Sequence, residues 1–261
     1  MNIVVLVKQV PDTYSERKLS SGDHTLDRDA TDAVLDEIDE RAVESALQLK
    51  EANDGSEVTV VAMGPDRATD AIRKALSMGA DKAVHLSDEA LHGSCAVQTT
   101  KALAKVIGTL GEVDLILAGN EASDGRIGAI PAMVADVLGL PSLTHARELT
   151  VDGSTVTVRR ETDDGVTVLS TELPAVVSVN EKINEPRYPS FKGIMAAKKK
   201  PVTTLTLADA GIDASEVGLA SALTTVTSSQ PKPPKSGGEK VEDEGDGGAK
   251  IAQFLVGQKL I

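Results

Sequence analysis

Ile3 to Val7 is an unbroken apolar run of strand length, and further runs of the same kind follow at Glu57 to Ala62, Ala83 to Leu86, Val113 to Ala118 and Ala175 to Val179. Runs that do not alternate belong to strands buried on both faces. Between them the apolar positions change period. Ala42, Ala46 and Leu49 share one helical face; Ala71, Ile72, Ala75 and Leu76 share another, which ends at Met78 with Gly79 as its cap. Val97, Leu103, Val106 and Ile107 mark the next helix, and Met133, Val134, Val137 and Leu138 the one after. Strand alternating with helix predicts an α/β fold, a doubly wound and mostly parallel sheet. Residues 145–170 depart from this, with short alternating runs around Asp152-Gly153 and Asp164-Gly165 that predict antiparallel hairpins at one sheet edge.

The pattern fades after residue 211. Residues 228–249 (SSQPKPPKSGGEKVEDEGDGGA) show no apolar period and are rich in Pro, Gly and charge, which reads as an extended linker. Periodicity returns in KIAQFLVGQKLI, where Ile251, Phe254 and Leu255 fall on one helical face. The expected organisation is therefore an α/β domain over 1–211 and an extended C-terminal arm over 212–261. A short amphipathic helix at the end of such an arm packs remotely, on its own domain or on a partner.

Composition narrows the function. A net charge of −13 argues against nucleic acid or an anionic membrane as the main partner, and would also suit a high-salt cytoplasm. Cys95 is the lone cysteine, which excludes a disulfide framework and a thiolate metal cluster. MNIVVLV leads into a strand with no cleavage site behind it, and no apolar stretch reaches the length of a membrane span, so a soluble, cytoplasmic protein is expected. His24, His85, His92 and His145 are scattered, and the chain lacks metalloprotease, nucleophile-elbow, P-loop and G-x-G-x-x-G patterns. A self-sufficient catalytic centre is not expected, and a hydrolytic enzyme on this scaffold has no nucleophile to use.

In a chain whose aromatic content is 2%, the segment 184–201 (NEPRYPSFKGIMAAKKKP) brings Tyr188 and Phe191 close together. Pro186 and Pro189 keep its first half extended, Gly193 provides a corner, and Ile194 to Ala197 form a helix-capable run ending in Lys198, Lys199 and Lys200. A stiff loop with an apolar tip and a basic flank suits docking; an ordinary connection whose Phe tucks into its own core accounts for it equally well. A second region of interest follows the strand ending at Ala118. There Gly119, Gly125 and Gly128 surround a polar loop that enters a helix, with amides suited to a phosphate and Asn120 and Asp124 as candidates for a base or ribose. Ligands in open parallel sheets lie beyond the carboxyl ends of the strands. Lys8 and the Met63-Gly64-Pro65 turn belong to the same end.

Together VKQVPDT (7–13), AVESALQLKE (42–51), VVAMGP (60–65), KALSMGADKAVHL (74–86), DLILAGNEASDG (114–125), LPAVVSV (173–179), the 184–201 segment and the tail EGDGGAKIAQFLVGQKLI resemble the beta subunit of electron-transfer flavoproteins. The resemblance implies an adenine-nucleotide-hydrolase-like sandwich, not itself an enzyme, paired with an alpha subunit that holds most of the FAD. It also implies a structural AMP in the beta subunit, replaced by a second FAD in electron-bifurcating members. Carried over, the nucleotide pocket would comprise Leu6, Lys8, Asp36, Asp39, Met63, Gly119, Asn120, Asp124, Gly125, Arg126, Gly128, Ala129 and Ile130. The docking loop for flavin dehydrogenases of the acyl-CoA dehydrogenase type would use Arg187, Tyr188, Pro189, Phe191, Ile194, Met195, Lys198, Lys199 and Lys200. Phe191 takes an apolar position where Leu is common, and Glu161 the acidic position of an R-E-x-D-G pattern that influences flavin-domain mobility. The implied role is electron transfer in fatty acid oxidation, toward a membrane quinone reductase and without membrane insertion. Gly128-Ala129-Ile130 replaces a polar run of the family, and Asp36 stands where Asn is frequent; both changes favour AMP over a second FAD. A nucleotide-binding regulatory module without redox role is the contrasting expectation.

Overall fold

The structure is a computed structural model that describes residues 1–234, 237–238 and 240–261. Two compact units are distinguished, Met1–Thr227 and Ser228–Ile261.

In the first unit, β1 (Asn2–Val7), β4 (Glu57–Met63), β5 (Lys82–Leu86), β6 (Leu115–Gly119) and β10 (Ala175–Val179) are the parallel strands that the apolar runs predict. Short strands β2 (Gln9–Pro11) and β3 (Ala33–Leu35) pair separately as an antiparallel ribbon. β7 (Ser142–Asp152), β8 (Thr155–Thr162) and β9 (Gly165–Glu172) form the expected hairpins, and β11 (Val202–Leu205) closes the opposite edge. The nine-stranded order is β11-β5-β4-β1-β6-β10-β7-β8-β9. β6 begins at Leu115, two positions later than the apolar run suggested; just before it, the Asp114 carboxylate accepts from the Asn2 amide at 2.7 Å.

Alternation within β1 sends Ile3, Val5 and Val7 to one core layer and Val4 and Leu6 to the other. Helices α1 (Glu37–Ala52) and α2 (Thr69–Met78) cover the first face, while α3 (Ala96–Gly108) and α4 (Ile130–Leu138) cover the second. The central parallel strands are thus mainly apolar because both of their faces are roofed by helices. The expected face of α4 needs one correction. Val134 is buried, but Val137 is 49% exposed, since the short helix turns it away from the sheet. Gly79 ends α2 at φ 147°, beneath the Leu47 side chain, a backbone conformation suited to glycine.

The first unit continues past residue 211. Ile212 and Val217 lie in the second core layer, and Gly218 accepts a hydrogen bond from Gln98 Nε2 at 3.2 Å. Part of the predicted 228–249 linker, residues 235, 236 and 239, lies outside the described residues. Its end is helical: α6 spans Gly247–Gly257, starting before Lys250 because the Asp243 carboxylate accepts from the Gly245 and Gly247 amides at 2.8 Å. Ile251 and Phe254 of α6 are exposed. Among the described residues no helix is long and apolar enough to cross a membrane.

Candidate functional site

The chain runs from β1 outward through β4 and β5, then returns to place β6 on the other side of β1. The carboxyl ends of β1 and β6 therefore flank the crevice where strand order reverses, the place where open α/β sheets bind ligands. Lys8 leaves β1 here, Gly119 ends β6, and Met63 ends neighbouring β4, while Leu6 lies one layer down in the core.

Two buried carboxylates shape this crevice. Asp36 caps α1: its Oδ1 accepts from the Ile38 and Asp39 amides, and its Oδ2 accepts from the Ser123 amide at 2.7 Å. Asp39, one turn on, accepts from the Lys8 amide at 2.8 Å and the Gly119 amide at 3.0 Å. Burial, and next the Asp36 carboxylate, push the Asp39 pKa well above the ordinary carboxylate range, opposed by the Gly119 and Lys8 amides. The resemblance places both acids in the nucleotide pocket; their carboxylates accept from backbone amides and hold the start of the glycine loop against α1. Asp36→Ala removes both the helix cap and the acceptor for a partly buried amide. It is expected to cost roughly 2–3 kcal/mol in thermal unfolding; an unchanged melting curve would show that Asp36 pins nothing.

The loop beyond β6 is built from inward ties and outward openings. Asp124 Oδ1 accepts from Lys8 Nζ at 2.7 Å, so this pair joins the two rims of the crevice. Arg126 and Gly128 have positive φ, 48° and 62°, and Arg126 pairs with Glu121 at 3.5 Å. A side chain at Gly125 or Gly128 would meet nothing within 4 Å. α4 then begins at Ile130 with Ala129 as N-cap, and no side chain caps it. Its first amides retain their capacity for an anion. Asn120 Oδ1 and Ser123 Oγ are buried in the same loop without a partner. Buried polar atoms lacking partners fit a polar ligand, and these residues suit the hydroxyl and phosphate groups of a nucleotide. Ser123 escaped the sequence reading because a serine in a polar loop carries no distinguishing pattern.

The Glu161 side lies at the same end of the sheet. A cleft of about 390 Å3 is lined by Asn120, His145, Arg160, Glu161, Thr162, Thr167, Asn180 and Glu181. Glu161 pairs with Arg147, and His145, at φ 58°, places Nδ1 3.2 Å from Asn120 Nδ2. The remaining histidines have local roles: buried His85 contacts Gly64 O at 3.0 Å, and His92 pairs with Asp23 at 2.8 Å and holds that carboxyl well below the usual range.

The segment 184–201 is not a loop that buries its own aromatics. Tyr188 is 94% and Phe191 80% exposed, and Ile194 and Met195 extend the same apolar patch. α5 (Phe191–Ala197) begins earlier than expected, with Ser190 as its N-cap, so Gly193 lies inside the helix rather than at a corner. Glycine is required there for packing: a Cβ on Gly193 would fall 2.5 Å from Ser77 O of α2. Pro189 precedes the cap, while Lys198 and Lys199 are exposed. Lys200 turns back, donating to the Leu76 and Ala80 carbonyls at the end of α2, and burial pulls its pKa below the usual lysine range. Arg187 is held by Glu44 and Glu51. Two of the candidate docking cations are therefore internal braces.

A family model described as the electron transfer flavoprotein domain matches residues 23–210. The electron transfer flavoprotein subunit beta of Mycobacterium tuberculosis (strain ATCC 25618 / H37Rv) is 64% identical over 264 residues, covering 100% of this chain and 99% of the relative. The protein of the same description from Mycobacterium leprae (strain TN) is also 64% identical, with the same coverage. That of Megasphaera elsdenii is 37% identical over 271 residues, covering 100% of both chains.

Proposed function

The chain belongs to the electron transfer flavoprotein family, among its beta subunits, and we propose from this that it works as one half of a heterodimer carrying electrons from flavin dehydrogenases of the acyl-CoA dehydrogenase type toward a membrane quinone reductase. The redox group is FAD, held largely by an alpha subunit, and its isoalloxazine accepts and releases the electrons. Residues of this chain supply recognition and a scaffold. The observation that carries the reading is the apolar tip formed by Tyr188, Phe191, Ile194 and Met195, held in solvent on a braced base. Electron transfer to successive partners needs an orientation that is specific and brief, which a small apolar anchor provides better than a broad interface.

AMP occupies the crevice between β1 and β6 in this proposal. Asn120 Oδ1 and Ser123 Oγ would hold its polar groups, and the uncapped start of α4 would supply amides for its phosphate. Asp36, Asp39 and the Lys8–Asp124 pair hold the loop that presents them. With Gly128, Ala129 and Ile130 at the helix start, side-chain contacts to a diphosphate are few, which favours the smaller nucleotide over a second FAD. Glu161, in its ion pair with Arg147, sits on the face offered to the mobile flavin domain, and the C-terminal arm packs on the alpha subunit.

Co-expression with the alpha subunit, purification and quantification of released nucleotides test the proposal. One FAD and one AMP per heterodimer is the expected result. Two FAD and no AMP would make this a bifurcating subunit, and a colourless homo-oligomer would remove the redox role altogether.

A further inference from the structure

The Arg187 guanidinium fastens the base of the exposed tip to α1. Arg187 Nε and Nη2 donate to the two carboxylate oxygens of Glu44 at 2.7 and 3.0 Å, and the Arg187 amide adds a bond to the same group at 3.2 Å. Nη1 and Nη2 also donate to Glu51, the latter at 3.1 Å. A single planar cation thus forks onto two acids about two turns apart on α1, a geometry lysine cannot reproduce.

The two halves of this clamp differ in weight. Glu44 is 4% exposed, and its other side-chain donor is Gln48 Nε2 at 3.0 Å. The Glu51 side chain is 60% exposed, so water competes for it. Beside the clamp, Asn184 Nδ2 donates to Arg41 O at 3.0 Å and Ser45 Oγ at 2.9 Å, and Arg41 returns a bond to Asn184 O. The far end of the segment is tied to α2, where Arg73 donates to the Ala197 and Lys200 carbonyls at 2.7 and 3.0 Å. Between these ties Tyr188 and Phe191 extend into solvent, with Lys74 Nζ 5.7 Å from the Tyr188 ring centroid.

We propose that Glu44 and Arg187 are positioning residues for partner docking: the clamp fixes the angle at which Tyr188 and Phe191 are presented, and Arg187 acts through α1 rather than by touching the partner. This rests on the reading of 184–201 as the docking segment. Pro186 and Pro189 stiffen the chain locally but leave it free to pivot as a unit; tying Arg187 to a buried acid removes that pivot before the partner arrives. The ordering cost is then met on folding and does not weaken each encounter.

The test uses the intact heterodimer with bound FAD, a flavin dehydrogenase of the acyl-CoA type as electron donor, and two readouts. Glu44→Gln and Arg187→Gln are each expected to speed amide hydrogen exchange across residues 187–197. Each should also raise the apparent KM for the heterodimer about tenfold with kcat unchanged, and the double variant should be no worse than either single one. Should Glu44→Gln fail to fold, Glu51→Gln, at the exposed half, should show the same pattern at about twofold. Unchanged exchange would overturn the clamp. Effects that multiply in the double variant would mean that Arg187 contacts the partner directly, which also overturns it. Faster exchange with an unaltered KM, in a protein where Phe191→Ala still raises KM, removes the positioning role and leaves the docking reading standing. If Phe191→Ala is silent as well, the docking reading fails and takes this inference with it.

Discussion

Gly119→Ala is expected to lower the melting temperature of the heterodimer by roughly 5–10 °C and to abolish the nucleotide binding proposed for the crevice. Gly119 ends β6 where Ile38 and Asp39 of α1 press against the strand. A Cβ built there falls 2.7 Å from Asp39 Oδ1, 3.1 Å from Ile38 Cγ2 and 3.2 Å from Ile38 Cβ. None of these is the loose end of a flexible side chain, since Asp39 is fixed by the Lys8 and Gly119 amides. Overpacking of this kind costs about 1–3 kcal/mol. Displacing Asp39 from the buried Gly119 amide adds about another 1 kcal/mol. The same movement pushes α1 away from Ser123, whose amide bonds to Asp36, so the loop loses its registration as well as its stability. Gly125→Ala is the matched control, because its Cβ would meet nothing within 4 Å. Calorimetry and nucleotide release on both variants check the prediction. Equal melting and equal nucleotide content would mean that α1 and β6 can separate at little cost, contrary to the fixed geometry of Asp39.

What the sequence revealed of this molecule follows from the range of the interactions involved. β1 and β4 are visible as largely apolar runs because both of their faces are buried, and the β7–β8 turn at Asp152-Gly153 is set by neighbouring residues. The same reasoning places Gly119, Asn120 and Lys8 at one end of the sheet. It does not reveal which way a side chain turns. The resemblance alone assigns Asp36 and Asp39 to the ligand pocket; an acid directly before a helix start is also a cap, and both carboxylates accept from backbone amides. Glu44 carries no pattern in the sequence that marks it as buried. It is buried because Arg187, remote in sequence, folds over it. Gly193 reads as a corner because its closest neighbour, Ser77 O, lies on another helix. Misplacements cluster where two segments distant along the chain decide one residue's environment. Strand ends, glycine spacing and the aromatic-rich segment located the candidate crevice and the candidate docking segment, and the resemblance to a family added their implied roles; separating their ligand-facing atoms from their braces required the packing.

Phe191→Ala should lower kcat/KM for reduction by a flavin dehydrogenase by about 30- to 100-fold, corresponding to the roughly 2–3 kcal/mol of a central aromatic anchor. Assembly with the alpha subunit and the melting temperature should stay at wild-type values, because the ring is 80% exposed and takes no part in this chain's core. The loss should appear in KM rather than in the electron-transfer step, as the substitution removes contact area and leaves the FAD untouched. Ionic strength separates this effect from charge steering. Lys198 and Lys199 are exposed and act through the field, so their contribution fades with salt. Lys200 contributes little to that field in this picture, being tied to the Leu76 and Ala80 carbonyls. The ratio of wild-type to Phe191→Ala rates should therefore hold across a salt series while both rates fall. A ratio that collapses toward one at high salt would assign the recognition to charge, and equal rates at every salt concentration would dismiss Phe191 as the anchor. A steady ratio leaves apolar burial as the source of specificity, with the lysines governing only how often the two proteins meet.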